Sequence, residues 1–183
     1  MTKSNRPNAR PQMAGLRTRV PRPSDGPKIW HLIEASGALD ANSLYCNLLQ
    51  CSHFGETCAV AEHEGEIVGW MSGYAPPAQP DTLFVWQVCV ADAARGYGLG
   101  LRLIQSVLER PGSANLRNVE CTITKKNAAS WALFHSVARA RDADLSTQLH
   151  FLREIHLDGQ HDSEIRVTIG PFETSDTRSA KAA

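Results

Sequence analysis

The sequence has no excess of charge of either sign and no long apolar segment. Its 183 residues include 19 basic and 19 acidic side chains, so the formal net charge is zero. Proteins that bind nucleic acid or an anionic membrane surface normally carry a large basic excess, which disfavours both roles. No apolar run approaches the length of a membrane-spanning helix. We therefore expect neither nucleic acid nor a membrane as a partner.

The sequence also lacks cysteine and histidine patterns typical of disulfide frameworks or metal sites. Its five cysteines include no Cys-x-x-Cys pair, and its first residues lack the apolar core of a secretory signal. An odd cysteine count without such a signal fits a reducing compartment, so we expect a cytoplasmic protein. His161 near Glu164 offers only two candidate ligands, too few to predict a metal.

The chain is long enough for one domain with a substantial core, and it contains no internal repeat. We divide it into a flexible arm over residues 1–14, a single domain over 15–171 and a polar tail over 172–183. Hydrophobic periodicity predicts the order β-α-α-β-β-β-α-β-α-β-β, which is typical of a mixed α/β fold. The central strand, helix and strand should form a parallel crossover.

The individual elements follow from periodicity and from start and stop signals. A nearly continuous apolar run over 82–90 predicts a strand buried on both faces. The second helix should begin at Asp40 or Asn42, either of which can cap it. The other predicted strands are 15–20, 57–61, 67–74, 118–124, 149–157 and 164–170, and the other helices are 23–37, one that ends before Pro111, and 127–141.

Three glycines in five residues separate the central strand from its helix. They are Gly96, Gly98 and Gly100, and Arg95 precedes them. Glycines remove the Cβ atoms that would keep a phosphate away from the unpaired N–H groups of a helix N-terminus. An arginine adds a planar cationic donor. We interpret the loop as a pyrophosphate site; the alternative is a glycine turn that binds nothing.

Three phosphate-binding patterns compete for this loop. A Walker A loop needs Lys followed by Ser or Thr, whereas Leu101 and Arg102 follow Gly100. A dinucleotide fingerprint needs a glycine where this sequence has Leu101, and it opens an early βαβ unit. The third pattern, Arg-x-x-Gly-x-Gly, is met by Arg95, Gly98 and Gly100.

Placed between the strand WQVCV and a helix, this third pattern resembles the acetyl-CoA loop of the GNAT N-acetyltransferase superfamily. The downstream stretch TITKKNAASWALF, a strand followed by an Asn-capped helix, is similar to the same superfamily. The resemblance implies the α/β fold of acyl-CoA N-acyltransferases: a mixed central sheet, flanking helices and a splayed central strand pair. It also implies acetyl-CoA as the cosubstrate, with no metal.

Longer stretches resemble one family within that superfamily, the diaminobutyrate acetyltransferases of ectoine biosynthesis. The similarity runs from about residue 27 to 169, and its distinguishing stretches are LDANSLYCNLL and NAASWALF. The resemblance implies acetyl transfer from acetyl-CoA to the 4-amino group of L-2,4-diaminobutyrate by direct attack of the amine on the thioester. It implies a small-molecule diamino acid as partner and a cytoplasmic homodimer.

The resemblance also implies which residues hold the cofactor. Backbone groups of Val88 and Val90 would pair with pantetheine, and an N–H near Val88 would polarise the thioester carbonyl. Loop N–H groups and Arg95 would hold the pyrophosphate. Asn127 would contact the cofactor arm, serve as a helix cap, or do both. The full predicted cofactor set is Val88, Val90, Arg95, Gly96, Tyr97, Gly98, Gly100, Asn127, Ser130 and Phe134.

The predicted substrate-side residues are Asp40, Tyr45, Trp86, His161 and Glu164. The resemblance places Asp40 and Tyr45 in the substrate pocket; the alternatives are a helix cap for Asp40 and a packed core aromatic for Tyr45. Trp86 would form a wall along the substrate chain or lie buried in the core. His161 and Glu164 fall in the late loop that covers GNAT substrate sites. Glu164 would hold an ammonium or act as a base, and the alternative is a solvated loop carboxylate.

One position departs from the superfamily pattern. Many GNAT enzymes have a tyrosine, which can protonate the leaving thiolate, where this sequence has Phe134. Ser130, one turn away, could substitute, as could water, or coenzyme A could leave as a thiolate, because a thiol has a pKa of about 8.5. Phe134 also allows a catalytically silent acyl-CoA-binding module. A further alternative is an enzyme for another small amine or a protein N-terminus.

Overall fold

A seven-stranded mixed sheet organises the part of the chain that the computed structural model describes, residues 13–37, 39 and 42–173. The strands are β1 (Arg17–Arg19), β2 (Ala59–His63), β3 (Glu66–Tyr74), β4 (Thr82–Val90), β5 (Asn118–Thr124), β6 (Leu145–Phe151) and β7 (Glu164–Ile169). Their order across the sheet is β1-β2-β3-β4-β5-β7-β6. Neighbouring strands are antiparallel except β4 and β5, which are parallel.

Helices cover the two faces of this sheet. They are α1 (Gly26–Ser36), α2 (Leu44–His53), α3 (Leu99–Leu108), α4 (Ala128–Arg141) and the one-turn helix α5 (Arg153–His156). Helices α3 and α4 bury their apolar side chains in one core cluster, and α1 and α2 bury theirs in another. The predicted mixed α/β fold, its element order and its parallel central pair are confirmed, and α5 is an addition.

Helix α2 begins later than the sequence indicates. Its N-cap is Ser43, whose Oγ accepts a hydrogen bond from the N–H of Cys46 at 3.1 Å. This hydroxyl satisfies one of the N–H groups that a helix leaves unpaired at its start. The prediction that Asn42 caps the helix is therefore wrong, and Asp40 lies outside the described residues.

The predicted strand over 149–157 is wrong in its second half. Strand β6 ends at Phe151, and α5 follows it. There the N–H of Leu152 donates to Nδ1 of His156 at 2.9 Å, and the N–H of His156 donates to the carbonyl of Leu152 at 2.9 Å. These hydrogen bonds close a turn that leaves the sheet, whereas the predicted pairing of the last two strands is confirmed.

Strand β4 carries one extra residue relative to β3. Ser72 pairs with Gln87 and Gly73 pairs with Val85, so Trp86 has no partner across the ladder. Such a bulge re-aims the side chain of the extra residue. Trp86 is 52% exposed, which contradicts the prediction that this strand is buried on both faces and excludes a buried core tryptophan.

The same bulge changes the face on which the side chains of β4 lie. Val85 and Cys89 are four residues apart and would share a face in a regular strand. Instead, Val85 belongs to the core cluster of α3 and α4, and Cys89 belongs to the cluster of α1 and α2. Before the bulge, odd-numbered residues of β4 face α3 and α4; after the bulge, odd-numbered residues face α1 and α2.

The two central strands separate after a short stretch of pairing. Parallel pairing joins Thr82–Phe84 to Asn118–Glu120 and stops there. Strand β5 stays paired with β7 as far as Thr124, and β4 stays paired with β3 as far as Val90. The sheet therefore opens between β4 and β5 toward the glycine loop, which confirms the predicted splayed pair.

Residues at both ends of the described chain contact the core. Met13 packs against the cluster of α3 and α4. Phe172 is 5% exposed, and the guanidinium of Arg141 lies 5.5 Å from its ring centroid. Residues 1–12 of the predicted arm and 174–183 of the predicted tail lie outside the described residues. Within the described residues, no helix has the length and apolar character needed to span a bilayer.

Candidate active site

The glycine loop forms a groove of about 410 Å³ at the N-terminus of α3. Gly96 and Gly98 have φ angles of 85° and 73°, in the left-handed region that favours glycine. Gly98 is the N-cap of α3, so the first N–H groups of the helix have no carbonyl partners within it. This loop groove suits an anion that accepts those hydrogen bonds.

Gly100 has a different physical role from the other two glycines. A Cβ at Gly100 would lie 3.2 Å from Cδ1 of Leu133 and 3.5 Å from Cγ1 of Val88. The absence of a side chain therefore allows α3 to approach α4 and β4 closely. Arg95 also borders the loop groove, whereas Tyr97 is 38% exposed and does not line it.

The separation of the central strands frees backbone groups of Val88 and Val90. The N–H of Ala91 donates to the carbonyl of Val68 on β3 at 2.9 Å. Hydrogen-bonded and non-hydrogen-bonded positions alternate along an antiparallel ladder, so Val90 and Val88 turn their N–H and C=O groups away from β3. These groups face the side from which β5 has separated, where an extended ligand can pair with them.

A cleft of about 700 Å³ occupies the opening between β4 and β5. Val88, Ser130 and Leu133 line both this strand cleft and the loop groove, so the two are continuous. Asn127 and the buried Phe134 also line the strand cleft. The Oδ1 of Asn127 accepts a hydrogen bond from the N–H of Ser130 at 3.0 Å, which makes Asn127 the N-cap of α4.

Charged side chains border the strand cleft next to the loop before β7. Asp162 pairs with Lys126 at 3.4 Å and with Arg153 at 3.5 Å, so its charge is compensated. Glu164 is partly buried, and no basic side chain in the described part of the chain lies within ion-pair distance of it. The exposed His161 lines the same cleft. Glu164 is therefore available to a cationic ligand.

A second cavity, of about 540 Å³, lies between α2 and the sheet and shares Trp86 and Thr122 with the strand cleft. We call it the α2 cavity. Its other lining residues are Gln50, Phe54, Ser72, Gly73, Tyr74, Phe84, His150 and Phe151. The sequence singles out none of these as site residues, because they come from separate elements and form no local motif.

One predicted substrate residue, Tyr45, is not brought to these cavities. Tyr45 lies in the first turn of α2, is 69% exposed and lines none of the three cavities, so the alternative of a packed core aromatic is wrong. Asp40 lies outside the described residues, although its neighbours Leu39 and Asn42 line the strand cleft.

Cys121 lines the strand cleft, but its thiol is not activated. It is 2% exposed; burial raises the pKa of its thiol, and the charges of Glu164 and Glu120 raise it further. The thiolate is the nucleophilic form, and a thiol with a raised pKa stays protonated at neutral pH. The cleft therefore favours direct transfer between two bound molecules. Among the described residues, no group of three His, Cys, Asp or Glu side chains is placed to hold a metal ion.

Known proteins are similar to this chain in sequence. The Acetyltransferase (GNAT) family model matches residues 28–138. L-2,4-diaminobutyric acid acetyltransferases of Methylotuvimicrobium alcaliphilum and Chromohalobacter salexigens are 46% and 48% identical to this chain over 147 and 156 residues. The alignments cover 80% and 85% of this chain, and 86% and 81% of those relatives. The chain belongs to the GNAT acetyltransferases, in the family of the L-2,4-diaminobutyric acid acetyltransferases.

A solved GNAT structure is also similar over nearly its whole length. Diaminobutyrate acetyltransferase from Paenibacillus lautus, in complex with its substrate L-2,4-diaminobutyric acid and coenzyme A, is 36% identical to this chain. The TM-score is 0.82, with 87% of this chain and 97% of that one covered. Family membership confirms the resemblance stated from the Arg-x-x-Gly-x-Gly loop and the Asn-capped helix. It also confirms acetyl-CoA as the cosubstrate of the fold.

Proposed function

We propose that this chain transfers an acetyl group from acetyl-CoA to the 4-amino group of L-2,4-diaminobutyrate. The observation that carries the proposal is the opening between β4 and β5, which joins the loop groove to a cleft with an available carboxylate at Glu164. Acetyl transfer needs an anion-binding groove and an amine-binding cleft that meet, because proximity supplies much of the rate. The names of the similar proteins support this acceptor over another amine.

The chain's own groups fit acetyl-CoA, which supplies the activated acetyl group as a thioester. The N–H groups of residues 96–100 and the guanidinium of Arg95 would hold the pyrophosphate. The backbone groups of Val88 and Val90 would pair with the pantetheine arm. An N–H near Val88 would donate to the thioester oxygen, whose negative charge grows as the amine attacks.

The acceptor amine must lose a proton before it can attack the thioester. Glu164 would hold the ammonium form or take its proton, directly or through water, with His161 beside it in the same cleft. Trp86, turned out of the ladder by the bulge, would form a wall along the substrate chain. The resemblance also assigns Asp40 and Tyr45 to the substrate pocket, and the exposed ring of Tyr45 would be free to contact the substrate.

The sulfur of coenzyme A must leave without a tyrosine beside it. Phe134 is buried in the cleft wall and has no proton to donate. Ser130 lines both the groove and the cleft, in the turn that Asn127 caps. Ser130 or an adjacent water would supply the proton. Alternatively, coenzyme A would leave as a thiolate, because its thiol has a pKa of about 8.5.

The proposal extends to assembly and compartment. Strand β6 is the edge of the sheet and exposes Leu149 (58%) and Phe151 (39%), and Ile155 of α5 is 72% exposed. Exposed apolar side chains beside an unpaired strand edge are typical of an interface. A second copy of this chain would cover them in a homodimer. The enzyme would act in the cytoplasm, and its product would supply closure of the ectoine ring.

A thiol-release assay with acetyl-CoA and a panel of amines tests the function. We expect faster turnover of L-2,4-diaminobutyrate than of lysine or ornithine, and NMR of the product should show the acetyl group on the 4-amino nitrogen. Release with another amine alone would replace the proposed acceptor. A protein that binds acetyl-CoA but releases no thiol with any amine would be a silent binding module.

A further inference from the structure

Two buried polar side chains of the α2 cavity lack a hydrogen-bond partner among the described residues. They are Gln50, at Nε2, and Ser72, at Oγ, and the residues are only 3% and 1% exposed. Both line the cavity, Gln50 from α2 and Ser72 from β3. A buried polar group without a partner destabilises the fold, so such groups are rare and are satisfied by bound water or by a ligand.

A neighbouring amide determines which atom Gln50 offers. Nδ2 of Asn47 donates to Oε1 of Gln50 at 3.1 Å, and both side chains are buried. This bond gives the oxygen of Gln50 a partner, and its NH₂ group is left as an unpartnered donor. The hydroxyl of Ser72 can donate as well. The α2 cavity therefore presents two donors, one from a helix and one from a strand, to an oxygen acceptor.

Acidic side chains lie in the strand cleft and not in the α2 cavity. Glu164 and Asp162 line the cleft, whereas no described residue that lines the cavity is Asp or Glu. The cleft therefore offers carboxylates to a cation, whereas the cavity offers neutral donors to an oxygen acceptor. Trp86 and Thr122 line both spaces, so the cavity and the cleft adjoin at these two residues. A diamino acid with its reacting amine in the cleft would direct its carboxylate toward the cavity.

We propose that Gln50 and Ser72 bind the carboxylate of the acceptor, with Asn47 as a positioning residue. The inference rests on the proposed function and adds the group by which the enzyme distinguishes an amino acid from a simple diamine. A site built from buried donors rejects an analogue that lacks the matching acceptor, because the donors then stay unpaired. The unsatisfied state of the two side chains without substrate is thus the source of the discrimination.

The test compares L-2,4-diaminobutyrate with 1,3-diaminopropane, the same chain without its carboxylate. In wild-type enzyme, kcat/KM should be higher for the amino acid. Gln50→Leu and Ser72→Ala should each lower kcat/KM for the amino acid at least about tenfold and lower it much less for 1,3-diaminopropane, so that the ratio shrinks. Gln105→Leu and Ser106→Ala on α3, where the Ser106 hydroxyl donates to the Leu103 carbonyl, are matched controls that should keep the wild-type ratio.

A stability measurement separates binding from folding. Ser72→Ala removes an unpartnered hydroxyl, so the melting temperature without ligand should not fall, whereas Ser106→Ala removes a hydrogen bond. The rise in melting temperature with L-2,4-diaminobutyrate should shrink in Ser72→Ala, and the rise with coenzyme A should be retained. Gln50→Glu should lower kcat/KM for the amino acid more than Gln50→Leu does, because it places two carboxylates together.

The outcomes distinguish the two proposals. A wild-type enzyme that acetylates L-2,4-diaminobutyrate while Gln50→Leu and Ser72→Ala keep the wild-type ratio would overturn the inference and leave the function intact. If Gln50→Glu raised kcat/KM for both amines, the cavity would bind an ammonium group and not a carboxylate. That result would also overturn the inference. A wild-type enzyme inactive on L-2,4-diaminobutyrate would overturn the proposed function and this inference with it.

Discussion

The guanidinium of Arg95 lies 2.9 Å from the carboxylate of Asp92 in the loop that leads into α3. Both side chains are exposed, and an exposed ion pair of this kind contributes little to stability. Its position matters more, because it holds a cation beside the N–H groups at the start of α3. A bound pyrophosphate would compete with Asp92 for Arg95.

Replacing Arg95 should therefore weaken cofactor binding. Arg95→Ala should raise the KM for acetyl-CoA by about 10- to 100-fold, as expected for the loss of a charge-assisted hydrogen bond, with little change in the KM for the amine. Steady-state kinetics with each substrate varied in turn give both constants. Asp92→Ala is the control: it removes the competitor, so the KM for acetyl-CoA should hold or fall. Equal rises in both KM values in Arg95→Ala would contradict the assigned role.

Glu164 should act on the amine and not on the cofactor. Glu164→Gln keeps the shape of the side chain and removes its charge, so kcat/KM for the amine should fall at least about tenfold. Asp162→Asn should have a smaller effect, since Lys126 and Arg153 already compensate that charge. The same kinetics decide the point: a larger loss in Asp162→Asn than in Glu164→Gln would reject Glu164 as the amine-binding carboxylate.

Cys121 should be dispensable for the chemistry. Burial and then the neighbouring carboxylates raise the pKa of its thiol, so it stays protonated across the neutral range. Cys121→Ala should keep kcat within about threefold and lower the free energy of unfolding by about 1 kcal/mol through the small cavity it leaves. Mass spectrometry after incubation with acetyl-CoA alone should find no acetyl group on Cys121. An acetylated Cys121 peptide would establish transfer through the thiol instead.

Because of the ion pair between Arg19 and Asp25, the free energy of unfolding should depend on pH. Nη1 of Arg19 lies 2.7 Å from Oδ2 of Asp25. Burial acts to raise the pKa of the Asp25 carboxyl, but hydrogen bonds from Arg19 and from the N–H of Arg22 outweigh it and lower the pKa below its usual value. The pair therefore stabilises the fold above the usual carboxyl pKa, and this contribution is lost as the pH falls through the lowered value.

Asp25→Asn should accordingly reduce the free energy of unfolding by about 2 kcal/mol at pH 7, and the difference from wild type should shrink below about pH 4. Urea titrations at both pH values measure this. The exposed pair of Lys28 with Glu66 offers a control, since Glu66→Gln should change stability little at either pH. A pH-independent difference for Asp25→Asn would exclude the ion pair as its cause.

The edge strand should be where two copies of the chain meet. Light scattering should give twice the chain mass for wild type, and Leu149→Glu or Ile155→Glu should shift the population toward the monomer. Leu44→Glu on α2, a matched change of an exposed leucine, should leave the mass unchanged. A monomeric wild-type protein, or dimers of unaltered stability in both edge variants, would place the interface elsewhere or remove it.

Much of the fold could be predicted because its signals are local. Strands β4 and β5 have the predicted bounds, since each is a short run of apolar or β-branched residues between breakers. Helix α4 has its predicted bounds because Asn127 caps it and the chain turns left-handed at Asp142. The glycine loop could be interpreted as an anion groove for the same reason: Arg95 and its glycines are contiguous in the sequence.

Trp86, His161 and Glu164 are predicted from the sequence and line the strand cleft, but the α2 cavity could not be predicted because its determinants are non-local. The exposure of Trp86 depends on the register of β4 against β3, and a strand's own sequence does not state its register. Gln50 and Ser72 are ordinary polar residues in sequence. Only the packing of α2 on the sheet shows that they are buried without partners.

Because Trp86 is unpaired, the binding site for the amine can change in evolution without changing the binding site for the cofactor. Trp86 has no partner in the ladder between β3 and β4, so exchanging its side chain would reshape the strand cleft while Gln87 and Val85 keep their present partners. The backbone of Val88 and Val90, which we propose pairs with the pantetheine arm, would be unchanged by such substitutions. We therefore expect relatives that prefer other amines to differ at Trp86 before they differ at Val88 and Val90 on the same strand.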